Sequence, residues 1–332
     1  MEYKVGVITG ITGQDGSYLA ELLLEKEYTV YGVKRRSSTD TNGRILHLLN
    51  HPRFNLIEGD VTDATGIYRL VDRVKPRELY NTAAMSHVHV SFDQPVTTFE
   101  INAVGVLNIL EAVRLCSPNT KVLQCSTSEL FGDTTITPQD ETTPFGPNSP
   151  YAVAKLAAHN LIGLYRKSYG IFACAAISHN HESARRGANF VTRKITKYVA
   201  ELQSYFMAHH KTPVVNVDVL PLKLGNLDAR RDWSHAKDMT RGMFLMLQQE
   251  TPDDFVLASG VTRTIRELLE TAFNLYGFDY NDYVEIDPKL YRPAEVNLLL
   301  GDASKAKKVL GWQTTISFED MIKEMIEVDL VR

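Results

Sequence analysis

Residues 5–25 read VGVITGITGQDGSYLAELLLE and hold the pattern that decides the fold. Val5–Thr9 is an apolar run that predicts a short buried strand. Glycines follow at positions 10, 13 and 16, and Ser17–Glu27 then carries leucines at helical spacing. Strand, glycine turn and helix in this order are typical of a dinucleotide-binding unit, in which the first N–H groups of the helix bind a pyrophosphate. The alternative interpretation is a plain glycine turn.

The same alternation of strand and helix continues beyond this unit. Further strands are predicted at Tyr28–Val33, Phe54–Ile57, Glu78–Tyr80, Val122–Gln124 and Ile171–Ile177. Helical patterns occupy residues 63–74, 96–116 and 151–168. Strands that alternate with helices form a parallel sheet covered on both faces. Residues 1–178 are therefore expected to fold as a doubly wound α/β domain of the Rossmann type.

A polar stretch, SHNHESARRG at residues 178–187, interrupts this pattern and predicts a domain boundary. Beyond it the periodicity is weaker. Helices are predicted near residues 190–210, 237–249, 265–276 and 318–328, and a strand at Val214–Val217. We expect residues 179–332 to form mainly a smaller α/β domain that binds the substrate. A segment near 214–250 is a candidate for a return to the first domain, and a cleft should separate the two domains.

The composition excludes several classes of protein. With 44% hydrophobic and 23% charged residues in 332, the chain matches ordinary globular proteins. The 36 basic and 40 acidic side chains give a net charge of -4, which disfavours binding to nucleic acid or to an anionic membrane. Cys116, Cys125 and Cys174 form no CxxC pair, which argues against disulfides and favours a reducing cytoplasm. No exported or membrane-spanning segment is expected.

The end of the second strand predicts which dinucleotide is bound. An NAD enzyme places an acidic residue there, about 20 residues past the glycines, for the ribose 2′-hydroxyl. This chain has Lys34 and then Arg35, Arg36, Ser37 and Ser38. A guanidinium with two following hydroxyls suits a 2′-phosphate, so the sequence favours NADP over NAD. The alternative is a solvated basic turn.

Two pairs of residues predict acid–base chemistry. Tyr151 and Lys155 lie four residues apart, which places them on one face of a helix. A tyrosine titrates near pH 10, so it needs positive charge close by to act as a base at neutral pH, and Lys155 would supply one. Thr127 and Glu129 follow the fifth strand, and Glu129 adds an acid–base that hydride transfer does not need. A solvated helix face and a Ser/Thr turn are the alternatives.

Cations in the second half of the chain predict where a diphosphate binds. Lys194, Arg231 and Arg292 supply local positive charge in an otherwise acidic protein. Dispersed surface salt bridges are the alternative. His87 and His89 lie two residues apart but lack acidic or thiol partners at metal-ligand spacing, so no metal site is predicted.

Longer segments carry a resemblance to a known family. They are GITGQDGSYLAE (10–21), KRRSS (34–38), STSELFG (126–132), SPYAVAK (149–155), NHESARRG (180–187), FVTRKIT (190–196), LGNLDARRDW (224–233), RPAEV (292–296) and GDASKAKKVLGW (301–312). Through them the chain resembles the extended short-chain dehydrogenase/reductases, and among these the GDP-mannose 4,6-dehydratases, over nearly its whole length. The chain departs from that pattern at Met85, where the family has Gln, at Thr97, where Tyr is common, and at Asn297, where the family has Asp.

The resemblance implies specific roles for residues. The implied catalytic set is Thr127, Glu129, Tyr151 and Lys155. The implied NADP contacts are Gly10, Ile11, Thr12, Gly13, Gln14, Asp15, Gly16, Arg35, Arg36, Ser37, Ser38, Asp60, Val61, Ala83, Ala84, Ser86, Tyr151, Lys155, His181 and Arg186. The implied GDP-sugar contacts are Ser86, Asn180, Lys194, Gly225, Asn226, Arg231, Arg292 and Glu295. The family also implies a homodimer or homotetramer, with the loop at 35–44 as a candidate contact between subunits.

The expected reaction converts GDP-mannose to GDP-4-keto-6-deoxymannose and water. An NADPH-dependent side reduction of this product to a GDP-6-deoxyhexose such as GDP-rhamnose is a further expectation. Two alternatives stay open at this point. A nucleotide-sugar 4-epimerase would need Tyr151 and Lys155 but has no use for Glu129. A non-catalytic NADP-sensing protein would have no use for any of the three.

Overall fold

A seven-stranded parallel sheet forms the centre of the first domain in the computed structural model, which describes residues 4–208, 219–291 and 296–330. The order of its strands is β10-β6-β5-β4-β1-β2-β3. Their bounds are β1 Val5–Thr9, β2 Thr29–Lys34, β3 Phe54–Glu58, β4 Glu78–Asn81, β5 Lys121–Cys125, β6 Ala173–Ser178 and β10 Phe255–Leu257. The doubly wound α/β fold predicted from the sequence is confirmed.

Helices cover both faces of this sheet and form much of the second domain. They are α1 Gln14–Glu25, α2 Ala64–Val74, α3 Val88–Asp93, α4 Pro95–Phe99, α5 Gly105–Cys116, α6 Pro150–Tyr169, α7 Val191–Ala208, α8 Ala236–Leu247, α9 Ile265–Asn274, α10 Ser304–Leu310 and α11 Phe318–Leu330. Neighbouring strand residues point to opposite faces, so Val7 enters the core under α2 and α5, and Ile8 enters the core under α1 and α8.

The predicted return of a segment near 214–250 to the first domain is confirmed for α8 (Ala236–Leu247), which packs on α1, but not for Leu222–Leu224. Leu222–Leu224 (β8) pairs instead with Val284–Ile286 (β12) in a separate two-stranded sheet. The return is made by α8 and by β10, which pairs in parallel with β6. Trp312, just after α10, is also buried in the first domain's core. A strand of three residues is too short for its periodicity to be recognised in the sequence. The predicted strand Val214–Val217 lies outside the described residues.

The second domain packs helices α7, α9 and α11 around a small mixed sheet. Its strands are β7 Asn180–Glu182, β9 Arg230–His235 and β11 Thr262–Thr264, in the order β11-β9-β7. Strand β9 runs parallel to β7 and antiparallel to β11. Trp233 stacks on Phe318 at 5.9 Å between ring centroids, in a core that also includes Leu268 and Met321. Strand β7 follows β6 almost directly in the chain, so the predicted boundary region at residues 178–187 lies at the carboxyl edge of the seven-stranded sheet.

The predicted helix at 96–116 is divided into α4, a π-helical stretch at Glu100–Val104, and α5. An 18-residue window of Pro95–Cys116 has a mean hydropathy of 1.3. By length and composition alone the segment is long and apolar enough to cross a membrane. Half of its apolar window is buried, and it packs against α2 and α6. Its apolar composition is therefore accounted for in part by the core that it helps to form.

Candidate active site

A cleft of about 400 Å³ opens where the carboxyl ends of β4, β5 and β6 meet the second domain. Ligands of open α/β sheets bind at this edge. The cleft is lined on one side by Ser86, Thr127 and Tyr151, and on the other by Asn180 and Arg231. The structure therefore brings the predicted catalytic residues and the described substrate residues, from the two halves of the sequence, into one cavity.

The glycine turn has the geometry that a pyrophosphate requires. Gly10 has a φ of 70°, and a Cβ there would lie 2.8 Å from the backbone nitrogen of Ala83. A Cβ on Gly16 would lie 2.5 Å from the carbonyl oxygen of Gly10. Gly13 is the N-cap of α1, and no side chain caps this end of the helix. The first N–H groups of α1 are thus left for an anion, and the turn fits a dinucleotide.

Two members of the turn direct their side chains away from this surface. Ile11 is fully buried in the core, so it can contact a cofactor through its main chain alone. Gln14 donates to the carbonyl oxygen of His181 at 3.1 Å and accepts from Ser183 at 2.8 Å. Thr12 accepts a hydrogen bond from Arg44 through its carbonyl oxygen. The side chain of Gln14 therefore links the turn to the second domain.

The remaining residues predicted to bind the cofactor follow strand ends. Residues 35–38, after β2, are all exposed. Asp60, after β3, accepts from the backbone and hydroxyl of Thr62, and Val61 is buried. Residues 83, 84 and 86 follow β4, and Ala84 and Ser86 line the cleft. All lie along the carboxyl edge of the sheet.

The N-terminus of α6 positions the tyrosine and the lysine. Ser149 caps this helix by accepting from the backbone N–H of Ala152 at 3.1 Å, and Pro150 takes the first helical position. Tyr151 is therefore held at the start of the helix, where it is 8% exposed, and Lys155 is 3% exposed. The cap therefore fixes where the helix begins, and with it the position of the Tyr151 phenol at the cleft.

Tyr151 shares a hydrogen bond with Thr127 and lies close to Glu129. Thr127 caps the short 3₁₀ turn at Ser128–Phe131 by accepting from the backbone N–H of Glu129 at 3.3 Å. Burial and the Glu129 charge raise the pKa of Tyr151 above its usual value, while the hydrogen bond from Thr127 and the Arg186 guanidinium act to lower it. Burial is the largest of these effects.

The ammonium group of Lys155 contacts a backbone oxygen of the fifth strand. Its Nζ donates to the carbonyl oxygen of Cys125 at 2.5 Å, and burial lowers its pKa. The sequence predicts Lys155 as the cation that supports the phenolate. The structure adds Arg186, a cation from the second domain that also lowers the pKa of Tyr151. Nothing in the spacing of the sequence places Arg186 beside α6.

An ion pair joins the glycine turn to the boundary loop at 179–187. Asp15 accepts from Nε2 of His181 at 3.0 Å, and Nδ1 of His181 lies 2.8 Å from the carbonyl oxygen of His179. Because both partners are acceptors, both ring nitrogens carry hydrogen and the imidazole is positively charged. Burial acts to lower the pKa of His181, but the Asp15 carboxylate raises it overall. Burial acts to raise the pKa of Asp15, but His181 lowers it overall.

Two arginines that the sequence analysis did not select strengthen this connection. Arg185 donates to Ser17 and Glu21 on α1. Arg44 donates to the carbonyl oxygens of Thr12 and Arg185, at 3.2 and 2.7 Å. The sequence gives no signal for these two arginines, because each donates hydrogen bonds to a segment more than 25 residues away in the chain. The cofactor turn and the second domain are thus held together by several charged contacts.

The predicted substrate residues that the structure describes lie on the second-domain side of the cleft. Asn180, Lys194, Gly225, Asn226 and Arg231 all line it. Arg292 and Glu295 lie outside the described residues. Arg186 packs over the Phe190 ring at 3.6 Å, and Phe190 contacts His87, which extends the cleft wall with residues not selected from the sequence. Among residues 4–208, 219–291 and 296–330 no cluster of three His, Cys, Asp or Glu side chains could hold a metal ion.

Comparison with known proteins identifies close sequence relatives. A family model described as GDP-mannose 4,6 dehydratase matches residues 7–325. The chain is 48% identical to GDP-mannose 4,6 dehydratase 2 of Arabidopsis thaliana, with 98% of this chain and 87% of the relative covered. It is 45% identical to the GDP-mannose 4,6 dehydratase of Drosophila melanogaster, covering 98% and 86%. Identity to the Vibrio cholerae enzyme of that name is also 45%, covering 98% and 94%.

Solved structures share the architecture at much lower identity. A UDP-glucose 4-epimerase from Thermotoga maritima with UDP-glucose gives a TM-score of 0.84 at 22% identity, with 97% of each chain covered. A dTDP-glucose 4,6-dehydratase from Bacillus anthracis in complex with NAD gives 0.80 at 20% identity, with 98% and 96% covered. At this level of identity the likeness concerns the fold alone.

Proposed function

The chain belongs to the GDP-mannose 4,6-dehydratase family, and we propose that it converts GDP-mannose to GDP-4-keto-6-deoxymannose with NADP as its recycled cofactor. The observation that carries this proposal is that Tyr151, Thr127 and Glu129 are all buried in the lining of one cleft, with Tyr151 hydrogen-bonded to Thr127 and close to Glu129. It places two acid–base groups within reach of one sugar ring.

Tyr151 and Lys155 begin the reaction. Tyr151 removes the proton of the sugar 4-hydroxyl, and Thr127 stabilises the phenolate form by its hydrogen bond. Lys155, anchored on the carbonyl oxygen of Cys125, supplies positive charge on the cofactor side. NADP would be held by the first N–H groups of α1 and by Lys155, and it would supply the hydride acceptor for C4 and the hydride donor for C6.

Glu129 performs the elimination. The 4-ketone acidifies the hydrogen on C5, which Glu129 abstracts and then delivers to the departing 6-hydroxyl, so that water leaves. Completing the product requires one proton at C5, and Tyr151 has taken one proton from the 4-hydroxyl. The protons therefore balance if one passes from Tyr151 to Glu129 in each turnover, either directly or through solvent. The closeness of the two groups supports this transfer.

NADP rather than NAD is proposed from the end of β2. Arg35, Arg36, Ser37 and Ser38 are all exposed there, and no acidic side chain precedes them at the strand end. A guanidinium with adjacent hydroxyls binds a phosphate more strongly than a ribose hydroxyl. The open position of these residues leaves room for a 2′-phosphate.

The function is tested by incubating the protein with GDP-mannose and measuring product mass. Loss of one water is expected, whereas an epimerase gives no mass change and a sensor gives no product. UDP- and dTDP-sugars tested in parallel measure selectivity for the base. Absence of the dehydrated product under saturating NADP would overturn the proposal.

The side reduction is a second candidate activity, supported by the raised pKa of the buried Tyr151 phenol. Burial raises the pKa of this phenol, which favours the form that can donate a proton to the oxygen at C4. Hydride addition to the 4-ketone needs such a donor. With product present, added NADPH should then be consumed, and constant NADPH absorbance over long incubation would refute this activity.

An oligomer is proposed from an exposed apolar face on α4, α5 and α6. Its residues are Val96, Phe99, Val104, Leu115, Val153, Leu164 and Tyr169, each at least 40% exposed. Helices α4 and α5 both pack against α6, and exposed apolar side chains on adjoining helices are typical of an interface. A second copy of the chain would cover this face in a homodimer, and the loop at 35–44 is a candidate contact for a homotetramer.

The three free cysteines support a cytoplasmic location, which cell fractionation would test.

A further inference from the structure

A row of buried polar side chains crosses the centre of the seven-stranded sheet. Thr9, Asn81 and Gln124 are partners in register on β1, β4 and β5, and none is more than 2% exposed. Their register partners on the outer sides are the apolar residues Val33 and Ala175. Burying an amide costs free energy unless its hydrogen bonds are satisfied. The row therefore depends on its internal hydrogen bonds.

These hydrogen bonds form one continuous chain that leads to the active site. Thr9 donates to Asn81 at 2.5 Å, and Asn81 donates to Gln124 at 2.7 Å. Gln124 donates to the carbonyl oxygen of Cys125 at 2.7 Å. The same oxygen accepts from Nζ of Lys155 at 2.5 Å. The row thus ends on the oxygen that anchors the lysine.

The chemistry of the groups allows a single direction for this chain. A carbonyl oxygen accepts only, so Gln124 must present its NH₂ group to Cys125. The amide oxygen of Gln124 then faces Asn81, which must present its NH₂ group in turn. The amide oxygen of Asn81 consequently accepts the hydroxyl of Thr9, and that hydroxyl oxygen accepts from the backbone N–H of Ala83 at 3.4 Å. Reversing any one amide would place two donors or two acceptors against each other.

We propose that Gln124 and Asn81 are positioning residues for Lys155. Gln124 occupies one of the two lone pairs on the carbonyl oxygen of Cys125, which leaves the other to Nζ and fixes the direction in which the ammonium lies. Asn81 holds Gln124 in the required orientation. The inference rests on the proposed function only for the role of Lys155 in binding the cofactor and supporting the phenolate of Tyr151.

The test replaces Gln124 by methionine, which is similar in length and lacks the donor. For Gln124→Met we expect NADPH, measured by fluorescence, to bind 10- to 100-fold more weakly, which is about the cost of misplacing one charged contact. The acid limb of the kcat–pH profile should also move to higher pH because the phenolate of Tyr151 loses an oriented ammonium. Asn81→Leu should act in the same direction with a smaller effect.

Tyr80→Phe is the matched control. Tyr80 neighbours Asn81 on β4 and is fully buried, and its hydroxyl donates to Glu78 at 2.7 Å, away from Cys125. This variant should lower the melting temperature without changing NADPH affinity or the pH profile. If Gln124→Met does not fold, Gln124→Asn keeps a buried amide that is one methylene too short to reach Cys125.

The outcomes separate this inference from the proposed function. The position of the acid limb does not depend on the folded fraction, so it can be measured in a destabilised variant. If Gln124→Met, or Gln124→Asn in its place, lowers the melting temperature as Tyr80→Phe does but leaves NADPH affinity and the acid limb unchanged, the row has no positioning role. A wild-type protein that binds NADPH but does not dehydrate GDP-mannose would refute the proposed function and leave the NADPH-affinity test standing.

Discussion

Glu129 and Tyr151 act on different protons of the substrate in the proposed mechanism, so their substitutions should stop the reaction at different steps. Glu129→Gln keeps the size of the side chain but removes the base for C5. Oxidation at C4 should survive while elimination stalls, and bound NADPH should accumulate in the absorbance spectrum. Tyr151→Phe should prevent the first hydride transfer, with a loss of about 10²–10⁴ in rate.

Tyr165→Phe is the control for the phenol. Tyr165 lies on the same helix, and its hydroxyl donates to Glu111 at 2.6 Å, so its loss should leave turnover intact. With substrate deuterated at C4, the wild-type product should carry the label at C6. Dehydration by the Glu129 variant at the wild-type rate would contradict its assigned role, and loss of the label to solvent would contradict the internal hydride transfer.

Arg35 is expected to discriminate between the two dinucleotides. Arg35→Ala removes a charge-assisted contact to the 2′-phosphate, so NADP affinity should fall roughly ten- to a hundredfold. NAD lacks that phosphate, and its affinity should hardly change, which makes it the internal control. Calorimetric titration with each cofactor measures both. Equal affinity of the wild-type protein for NAD and NADP would refute this assignment.

His179 links stability to pH. The residue is 1% exposed, both ring nitrogens lack hydrogen-bond partners among residues 4–208, 219–291 and 296–330, and burial lowers its pKa to about 4. An unfolded histidine titrates near 6.5, so the unfolded state binds the proton first. The stability associated with the neutral ring is complete above about pH 6.5 and is lost as the pH falls toward 4. His179→Leu should remove this dependence.

Urea denaturation at a series of pH values checks this prediction. The difference in free energy of unfolding between His179→Leu and the wild type should be constant above pH 7. It should grow in favour of the variant below pH 6, by up to about 3 kcal/mol. A difference that does not vary with pH would show that the histidine does not titrate as described.

At the scale of single elements, the cap of α6 fixes the phenol. Ser149→Ala should lower the free energy of unfolding by about 1 kcal/mol because the N–H of Ala152 loses its acceptor. Since Tyr151 lies in the same first turn, kcat should fall as well. Ser317→Ala is the matched control, because Ser317 accepts from the backbone N–H of Asp320 at 3.0 Å at the start of α11, whose residues 318–330 lie outside the lining of the cleft. If kcat is the same in the two variants, the cap of α6 has no role in positioning Tyr151 for catalysis.

Helix α1 also shows how an element departs from its sequence pattern. The leucine spacing predicts a start at Ser17, whereas α1 begins at Gln14. Gly16 lies inside the first turn because a Cβ there would meet the carbonyl oxygen of Gly10. In the first turn of α1 the backbone packs closely against the glycine turn. Its residues therefore carry no apolar periodicity, and the leucine spacing does not reveal them.

At the scale of the whole molecule, the exposed apolar face predicts self-association. Val153 and Leu164 on α6 are eleven positions apart, about three helical turns, so they lie on one face of the helix. Leu164→Asp should shift the protein toward the monomer in light scattering coupled to gel filtration. Exposed Leu275, at 41% on the far domain, provides the control variant Leu275→Asp, which should not change the mass. A wild-type monomer would refute the proposed dimer.

The sequence by itself determined the alternating sheet, the glycine turn and the family. Each depends on residues close together in the chain, where strand period, helix period and glycine spacing directly constrain the backbone. The pairing of Tyr151 with Lys155 is of the same kind, since four residues along a helix set their common face. The roles of the individual site residues and the choice of NADP remain predictions to be tested by the variants above.

The tertiary structure alone decided which distant groups meet. It added β10 to the edge of the sheet and placed Arg186 near Tyr151. It joined Arg44 to the glycine turn and aligned Asn81 with Gln124 in one row. None of these contacts follows from local periodicity, because each depends on strand register or on packing between segments far apart in the chain. The physical reason is that hydrogen bonds and burial are satisfied across the assembled core, where sequence distance no longer determines which side chains are neighbours.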